Sequence, residues 1–282
     1  MTQEQNGQLS ALSSLADAVR RQLALPRPPR PLVVGLCGAQ GSGKSTLAAA
    51  LVRALNEAGI PAATLSLDDL YLTHAERRSL AATVHPLLGT RGVPGTHDLQ
   101  LGLDTLDAVA RGEQAPLPRF DKGEDDRTPR GTWSTAPLAT QALVLEGWCV
   151  GALPQPPTAL SAPVNVLERD EDPDGRWRRY VNDQLAGPYR ALFERIDLLV
   201  LLAAPGFDIV ARWRGEQEEP LRREGRGMNN AEIARFVMHY ERLTRHILAE
   251  MPARADLVLR LDDQRKVLEV RQRGERLGEQ NS

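Results

Sequence analysis

The side chains best suited to chemistry lie in a glycine-rich segment near the start of the chain, residues 38–45 (GAQGSGKS). The segment fits the spacing G-x-x-x-x-G-K-[ST] at every defined position, with an apolar run before it and a helix-forming run after it. Glycine at these positions lets successive backbone N–H groups turn inward around phosphate oxygens, and the start of a helix adds further N–H donors. The segment therefore predicts a nucleotide phosphate site rather than a glycine-rich turn without a ligand.

Two side chains at the end of this segment have predicted roles in phosphoryl transfer. Lys44 is expected to reach the β and γ phosphates of ATP, and Ser45 is expected to offer its hydroxyl to Mg²⁺. ATP and Mg²⁺ are thus the expected cofactors. The predicted nucleotide-binding residues are Gly38, Ala39, Gln40, Gly41, Ser42, Gly43, Lys44, Ser45 and Thr46.

Two adjacent carboxylates, Asp68 and Asp69, directly follow a second apolar run in the sequence SLDDLY. Because residues that follow parallel strands gather at one edge of a sheet, we expect these carboxylates near the glycine-rich segment. Phosphoryl transfer to an alcohol needs a carboxylate that accepts the hydroxyl proton, or one that holds Mg²⁺ and its waters. We favour such a role for Asp68 over a solvated turn or a helix cap.

An arginine-rich segment, ARWRGEQEEPLRREGRG, follows the fourth apolar run. It is predicted to form a helical lid over the triphosphate, at residues 207–230, with glycines as hinges. A positioned arginine stabilises charge on the transferring phosphoryl group, and Arg212 is the predicted catalytic arginine. The alternative is a solvated basic face balanced by glutamates. The arginines of the segment are Arg212, Arg214, Arg222, Arg223 and Arg226.

The elements that must position these residues are predicted from apolar runs. Runs that are apolar throughout are typical of parallel strands buried on both faces, and helical patterns separate them here. The alternation predicts an α/β fold, a three-layer P-loop NTPase fold with a mostly parallel five-stranded sheet and a helical lid. The predicted strands are at residues 32–37, 62–67, 142–145, 198–202 and 257–261.

Two further regions flank or interrupt this pattern. Leucines recur at helical spacing before the stretch PRPPRP, so residues 1–31 are predicted to be an amphipathic helix and a stiff linker. Residues 32–282 are predicted to form the kinase domain. Within it, residues 85–137 are rich in Pro, Gly, Arg and Asp, follow the second strand, and are predicted to hold the acceptor substrate.

Charge and hydropathy argue against several classes of function. The formal net charge is −2, so no basic face for nucleic acid is expected. No apolar run approaches the roughly 18 residues of a membrane helix, and the polar N-terminus is not typical of a signal peptide. We expect a cytoplasmic enzyme that does not bind a membrane. An Asn-Lys-x-Asp motif for reading guanine is absent, which argues against a GTP switch.

Several segments resemble the D-glycerate 3-kinase family, which is related to uridine kinase, phosphoribulokinase and bacterial pantothenate kinase. The resemblance covers residues 32–262, and its most specific marks are RGVPGTHDL at residues 91–99 and PRFDK within residues 117–127. Other marks are GAQGSGKST, SLDDLYLT, LEGW, WRRYVNDQLAGPY and WRGEQEEPLRREGRGM.

This resemblance implies transfer of a phosphoryl group from ATP to a hydroxyl of D-glycerate. It implies that Asp68 is the catalytic carboxylate, and that Glu146, at the end of the third strand, acts on Mg²⁺ through water. Ser45, Asp68 and Glu146 are therefore the predicted metal-site residues. A hydroxy-acid acceptor needs cationic donors for its carboxylate. The predicted acceptor-site residues are Asp69, Tyr71, Arg91, His97, Arg119 and Lys122.

Two alternative functions stay open at this point. The first is a kinase for another small alcohol, such as a uridine-like or pantothenate-like acceptor. Aromatic residues are only 4% of the chain, which weighs against a nucleoside-stacking pocket. The second is a non-kinase NTP-binding switch or delivery protein. The pattern does not determine the oligomeric state.

Some chemically capable residues are interpreted as structural. Asp121, Asp125 and Asp126 form an acidic run that is predicted to be solvated. Trp148 could stack on a ligand or serve as a structural aromatic. The histidines other than His97 are interpreted as surface or locally bonded residues.

Overall fold

The computed structural model describes residues 3–223, 225 and 227–274 of the 282-residue chain. The strands are β1 (Leu32–Gly38), β2 (Ala62–Ser66), β3 (Phe120–Asp121), β4 (Asp126–Arg127), β5 (Ala142–Gly147), β6 (Leu198–Ala203), β7 (Leu257–Leu261) and β8 (Val267–Gln272). The helices are α1 (Gln3–Leu23), α2 (Lys44–Glu57), α3 (His74–Thr83), α4 (Leu99–Ala110), α5 (Val166–Glu171), α6 (Arg176–Ala186), α7 (Pro188–Phe193), α8 (Asp208–Arg223) and α9 (Asn230–Glu250). Among the described helices, none combines the length and the hydropathy of a bilayer-spanning segment.

Six strands form one central sheet in the order β2-β5-β1-β6-β7-β8. The first five in that order run parallel, and β8 pairs antiparallel with β7. The five predicted strands are all present, and β8 adds a sixth at the edge. Every residue of β1 and β5 is buried, because helices cover both faces of the sheet there.

The helices on the two faces give the molecule three layers. Alternate side chains of β1 point to opposite faces. Val34 and Leu36 pack in one core with residues of α1, α2 and α8, whereas Val33 and Cys37 pack in the other core with residues of α4, α6 and α7. This is the predicted P-loop NTPase architecture. Because β1, β2 and β5 are parallel neighbours, the segments that follow them meet at one edge of the sheet.

The N-terminal helix α1 packs against the sheet domain. Leu15 and Val19 of α1 are fully buried in the same core as α2. After α1, Arg30 donates two hydrogen bonds to the Asp197 carboxylate, each 2.7 Å long. Asp197 precedes β6, so these bonds fasten the proline-rich linker at the amino end of the strands, opposite the edge that carries the candidate site.

The region predicted to hold the acceptor contains more regular structure than its composition indicates. It includes the short 3-10 helix Pro86–Gly89, helix α4, and two short strands that pair antiparallel. We refer to β3, β4 and the turn between them as the β3–β4 hairpin (residues 120–127). An isolated bridge between Tyr71 and His97 joins this region to the segment that follows β2.

Candidate active site

The phosphate loop (residues 38–45) connects the end of β1 to the start of α2. Gly41 and Gly43 have φ values of 77° and 88°, in the left-handed region that favours glycine. Gly43 is the N-cap of α2, so the first N–H groups of the helix are available to an anion. Helix α8 packs directly on the loop, because a side chain at Gly41 would lie 2.6 Å from Cβ of Trp213. The backbone thus has the shape of a phosphate site.

The side chains of the predicted nucleotide set lie on the loop and on the first turn of α2. Lys44 begins the helix, and Ser45 and Thr46 follow it with exposed side chains. Two polar atoms of the loop, Oε1 of Gln40 and Oγ of Ser42, are buried and find no hydrogen-bond partner among the described residues. The loop backbone and side chains therefore offer polar groups that a bound nucleotide could satisfy. The buried or half-buried members of the set include Ala39, Gln40 and Ser42.

Glu146 lies at the end of β5, directly beside the phosphate loop. Ser45 Oγ and Ser66 Oγ both donate hydrogen bonds to Glu146 Oε1, at 3.0 and 2.8 Å. The other oxygen, Oε2, is buried and has no partner among the described residues. A buried carboxylate oxygen without a partner, next to a serine hydroxyl, fits the hard oxygen ligands and bound waters that Mg²⁺ prefers.

Asp68 lies on the short 3-10 helix Leu67–Leu70 that follows β2. Tyr71 Oη donates to Asp68 Oδ1 at 2.7 Å, and Lys122 Nζ donates to Asp68 Oδ2 at 2.6 Å. Burial acts to raise the pKa of Asp68, but the charges of Lys122 and Lys44 outweigh it and hold that pKa well below its usual range. Asp68 is therefore an ionised carboxylate close to the phosphate loop.

The neighbouring Asp69 has a different set of contacts. Its Oδ1 accepts a hydrogen bond from the Phe120 N–H at 3.0 Å, and its Oδ2 accepts one from Arg119 Nη1 at 2.9 Å. These bonds fasten the start of the β3–β4 hairpin beside Asp68. Although both residues were predicted in the acceptor site, the structure pairs Asp69 and Arg119 with each other.

His97 and Tyr71 lie under the hairpin as a buried aromatic pair, with ring centroids 4.8 Å apart. The buried Tyr189 hydroxyl accepts a hydrogen bond from the Gly95 N–H at 2.9 Å and forms a second hydrogen bond with His97 Nδ1, 2.5 Å away. The other ring nitrogen of His97, Nε2, is buried and has no partner among the described residues. Burial lowers the pKa of His97 to about 4, so the ring is uncharged at neutral pH.

Arg91 belongs to an ion cluster around Asp125, at the far end of the hairpin turn. Asp125 accepts hydrogen bonds from Arg91, His74 and Arg77, and Arg77 is almost fully buried. Arg77 also donates to the carbonyl oxygens of Leu72 and Gly89, at 3.2 and 3.1 Å. The prediction that Asp125 is solvated is therefore wrong.

Arg77 was not predicted to have a role near the site. Its sequence context, an arginine in the helical stretch HAERRSLAAT, resembles a solvated helix face. Its Nη2 donates to the Asp125 carbonyl oxygen at 2.8 Å across 48 residues of sequence. No local pattern signals this pairing, because the carboxylate and the guanidinium meet only after the hairpin has folded over α3.

Comparisons with known proteins identify relatives of the whole domain. No protein-family model matches the chain. An uncharacterised kinase, mug58, of Schizosaccharomyces pombe is 38% identical over 250 residues, which are 82% of this chain and 87% of that protein. The chloroplastic D-glycerate 3-kinase of Arabidopsis thaliana is 33% identical over 222 residues, 74% of this chain but 46% of that longer protein. The solved D-glycerate 3-kinase of Cryptococcus neoformans shares 26% identity with a TM-score of 0.76, over 93% of this chain and 99% of that one.

The chain belongs to the D-glycerate 3-kinase family of P-loop kinases. It is a kinase that uses ATP and acts on a small molecule. D-glycerate is named for two of these relatives, whereas the S. pombe protein is described only as a kinase.

In this kinase, the arginines of α8 point in different directions. Arg212, the predicted catalytic arginine, donates to the Asp263 carbonyl oxygen at 2.6 Å and is held against the turn between β7 and β8. Arg214 lies over the Phe236 ring, 5.1 Å from its centroid, and its buried Nε has no partner among the described residues. Burial and Asp68 raise the pKa of Tyr240, while Arg214 lowers it, so Arg214 and Asp68 act on the same hydroxyl.

Helix geometry places Arg212 and Arg214 on different faces of α8. Residues two apart on an α-helix are about 200° apart around its axis, so Arg212 and Arg214 face opposite ways. Arg214 is on the side that faces the Phe236 ring. Arg222 donates to the Met228 carbonyl oxygen at 2.6 Å, and the exposed Arg223 lies 3.5 Å from Glu219. Arg226, which the lid prediction included, lies outside the described residues.

Trp148 supports the site from beneath. Its indole is buried, and Nε1 donates to the Gly92 carbonyl oxygen at 2.8 Å. Tyr240 packs edge-on against the indole at 4.8 Å. Of the two interpretations of Trp148, these contacts favour the structural aromatic.

Proposed function

We propose that this kinase transfers the γ-phosphoryl group of ATP to a hydroxyl of D-glycerate. The observation that carries the proposal is the pairing of Asp68 with Lys122 beside the phosphate loop, 2.6 Å apart. Asp68 is a carboxylate suited to accept a hydroxyl proton, and Lys122 is a cation suited to bind an acceptor carboxylate. A small hydroxy acid carries both complementary groups. The names of the A. thaliana and C. neoformans relatives support the same acceptor.

Each part of the site has a proposed task in this reaction. The N–H groups of the phosphate loop and Lys44 hold the β and γ phosphates of ATP. Asp68 accepts the proton of the acceptor hydroxyl. Arg214, rather than Arg212, stabilises the charge on the transferring phosphoryl group, since its guanidinium lies over the Phe236 ring, which packs on Tyr240, and its Nε has no partner among the described residues.

Ser45 and Glu146 are the residues that would hold Mg²⁺ in this kinase. The Ser45 hydroxyl is suited to bind the ion directly, and the free Glu146 oxygen is suited to bind one of its waters. Bound Mg²⁺ would neutralise charge on the β and γ phosphates. Ser66 links this pair to the proposed base, because Ser66 Oγ donates to Glu146 and accepts from the Asp68 N–H at 3.3 Å.

The acceptor is tested by measuring ADP release from Mg-ATP with a panel of D-glycerate, L-glycerate, glycerol, uridine and pantothenate. We expect D-glycerate to stimulate ADP release at least tenfold over buffer, with glycerol near the level of buffer. Stimulation by uridine or pantothenate instead would support the alternative of a kinase for another small alcohol. Failure of every acceptor to stimulate release would remove the D-glycerate assignment and favour an NTP-binding switch.

A further inference from the structure

Both oxygens of the proposed base are occupied in this structure. Asp68 Oδ1 accepts from Tyr71, and Asp68 Oδ2 accepts from Lys122. A carboxylate that is to take a proton from an acceptor hydroxyl needs an oxygen that the hydroxyl can reach. A carboxylate oxygen can accept two hydrogen bonds, so an acceptor hydroxyl either shares an oxygen of Asp68 with one of these partners or displaces that partner.

The two partners differ in their freedom to leave. Tyr71 is 4% exposed and is packed between the rings of His97 and Phe120. The side chain of Lys122, in contrast, is 57% exposed and lies in the turn of the β3–β4 hairpin. Its ammonium sits on a flexible four-carbon stem with rotatable donors, so it can exchange one anionic partner for another. Lys122 is the partner that can move.

The rest of the hairpin is fastened independently of Lys122. Asp69 bonds the Phe120 N–H at the start of the hairpin, and Arg77 bonds the Asp125 carbonyl oxygen near its end. Rotation of the Lys122 side chain can therefore release Asp68 while the hairpin backbone stays in place. The released ammonium is then available to bind an incoming anion.

We propose that Lys122 masks Asp68 until the carboxylate of an acid acceptor takes its ammonium away. The proposal rests on the function proposed above and adds a residue that determines specificity. Asp68 Oδ2 then accepts the hydroxyl proton as the hydroxyl oxygen bonds to the γ phosphorus and the bond from that phosphorus to ADP breaks. A neutral alcohol lacks the anion that displaces Lys122, and water lacks it as well. The exchange therefore selects acids and suppresses wasteful hydrolysis of ATP.

The test is Lys122→Gln, with Arg130→Gln as the matched control. Arg130 is also an exposed cation of the 85–137 region, but it lies over the Trp133 ring and has no contact with Asp68. The first readout is ATP hydrolysis without any acceptor. The second is the ratio of kcat/KM for D-glycerate to that for glycerol. Lys122 is exposed, so the variant is expected to fold, and circular dichroism checks this.

Lys122→Gln is expected to raise acceptor-independent hydrolysis at least about threefold and to lower the acid-to-neutral ratio at least about tenfold. Adding Asp68→Asn to Lys122→Gln should return hydrolysis to the wild-type level or below. Arg130→Gln should match the wild type in both readouts. Hydrolysis that stays at the wild-type value in Lys122→Gln, or that persists in the double variant, would overturn the mask.

The two proposals can fail separately. The hydrolysis readout needs no acceptor, so it tests whether Lys122 masks Asp68 even when D-glycerate is not the substrate. If the wild type does not use D-glycerate, the acceptor assignment fails, and the ratio is measured with the acid and neutral forms of the acceptor that the panel identifies. An unchanged ratio with a productive acid acceptor overturns the role of Lys122 in specificity.

Discussion

The phosphate loop and the β3–β4 hairpin both bring the charge of a lysine to Asp68, but they are built in different ways. The phosphate loop is a local structure, in which two glycines with positive φ and the start of α2 lie within a few residues of one another. The hairpin is held by bonds between distant residues, such as Arg119 to Asp69 across 50 residues and Lys122 to Asp68 across 54. Local backbone geometry fits a nucleotide shared by many enzymes, whereas assembled side chains can fit one acceptor. We therefore expect changes to the loop to affect ATP, and changes to the hairpin to affect the acceptor.

The largest effect is expected from Lys44→Ala in the phosphate loop. Loss of the ammonium removes a charge that binds phosphate in both the ground state and the transition state, so kcat/KM should fall by about 10³ or more. Titration with a fluorescent ATP analogue should show weakened binding as well. Normal nucleotide affinity in this variant would contradict the assignment of the loop.

Helix α8 gives the second comparison, between Arg214→Gln and Arg212→Gln. Arg214 is proposed to stabilise the transferring phosphoryl group, so its loss should lower kcat by about 10². Arg212 bonds the Asp263 carbonyl oxygen, and its loss should change kcat by no more than about threefold. Steady-state kinetics at saturating ATP measures both. Equal losses would mean that the two faces of α8 do not differ in function.

A smaller and more selective effect is expected from Arg77→Met, which loosens the hairpin at Asp125. Removing a buried guanidinium leaves carbonyl and carboxylate groups without donors, so unfolding free energy should fall by about 2 kcal/mol. The KM for the acceptor should rise about tenfold, while the KM for ATP stays within about twofold. The control is Arg78→Met on the exposed side of the same helix. A larger rise in the KM for ATP than in the KM for the acceptor would contradict the expectation that the loop binds ATP and the hairpin binds the acceptor.

His97→Asn is expected to have the smallest effect at neutral pH. Its effect on the free energy of unfolding should become visible as the pH is lowered. Burial lowers the pKa of His97 from 6.5 to about 4. As the pH falls, His97 is therefore protonated in the unfolded chain before it is protonated in the folded protein. The stability of the wild type should fall as the pH drops from about 6.5 to about 4, by at most about 1.4 kcal/mol per pH unit for this group. His97→Asn should reduce that slope.

Urea unfolding at several pH values measures the slope. His239 and His246, whose pKa values burial also lowers, remain in the variant and keep part of the wild-type slope. The pKa of Asp68 lies below its ordinary range, so Asp68 contributes only at more acidic pH. Identical slopes in wild type and variant would contradict a buried, neutral His97.

The features that could be predicted from the sequence are the local ones, and the features that could not be predicted depend on contacts between distant residues. The parallel strands are apolar throughout, and the phosphate loop is a contiguous motif, so both were predicted within a few residues. Strand β8 was missed because it is a mixed-polarity edge strand whose residues are half-buried or exposed. Asp69 and Asp125 bond partners that are distant in sequence, and no period or spacing encodes such pairs. The choice between Arg212 and Arg214 depends on the rotation of α8 about its axis, which packing against the phosphate loop determines.

The most direct test of the account is Asp68→Asn, because both the proposed proton transfer and the proposed masking by Lys122 depend on this carboxylate. The isosteric amide keeps the shape of the site but cannot accept the hydroxyl proton. We predict that acceptor-stimulated ADP release falls by about 10³, while the affinity for an ATP analogue stays within about threefold of the wild type. Near-normal ADP release, or loss of nucleotide binding in parallel with activity, would contradict the assignment of Asp68 as the base.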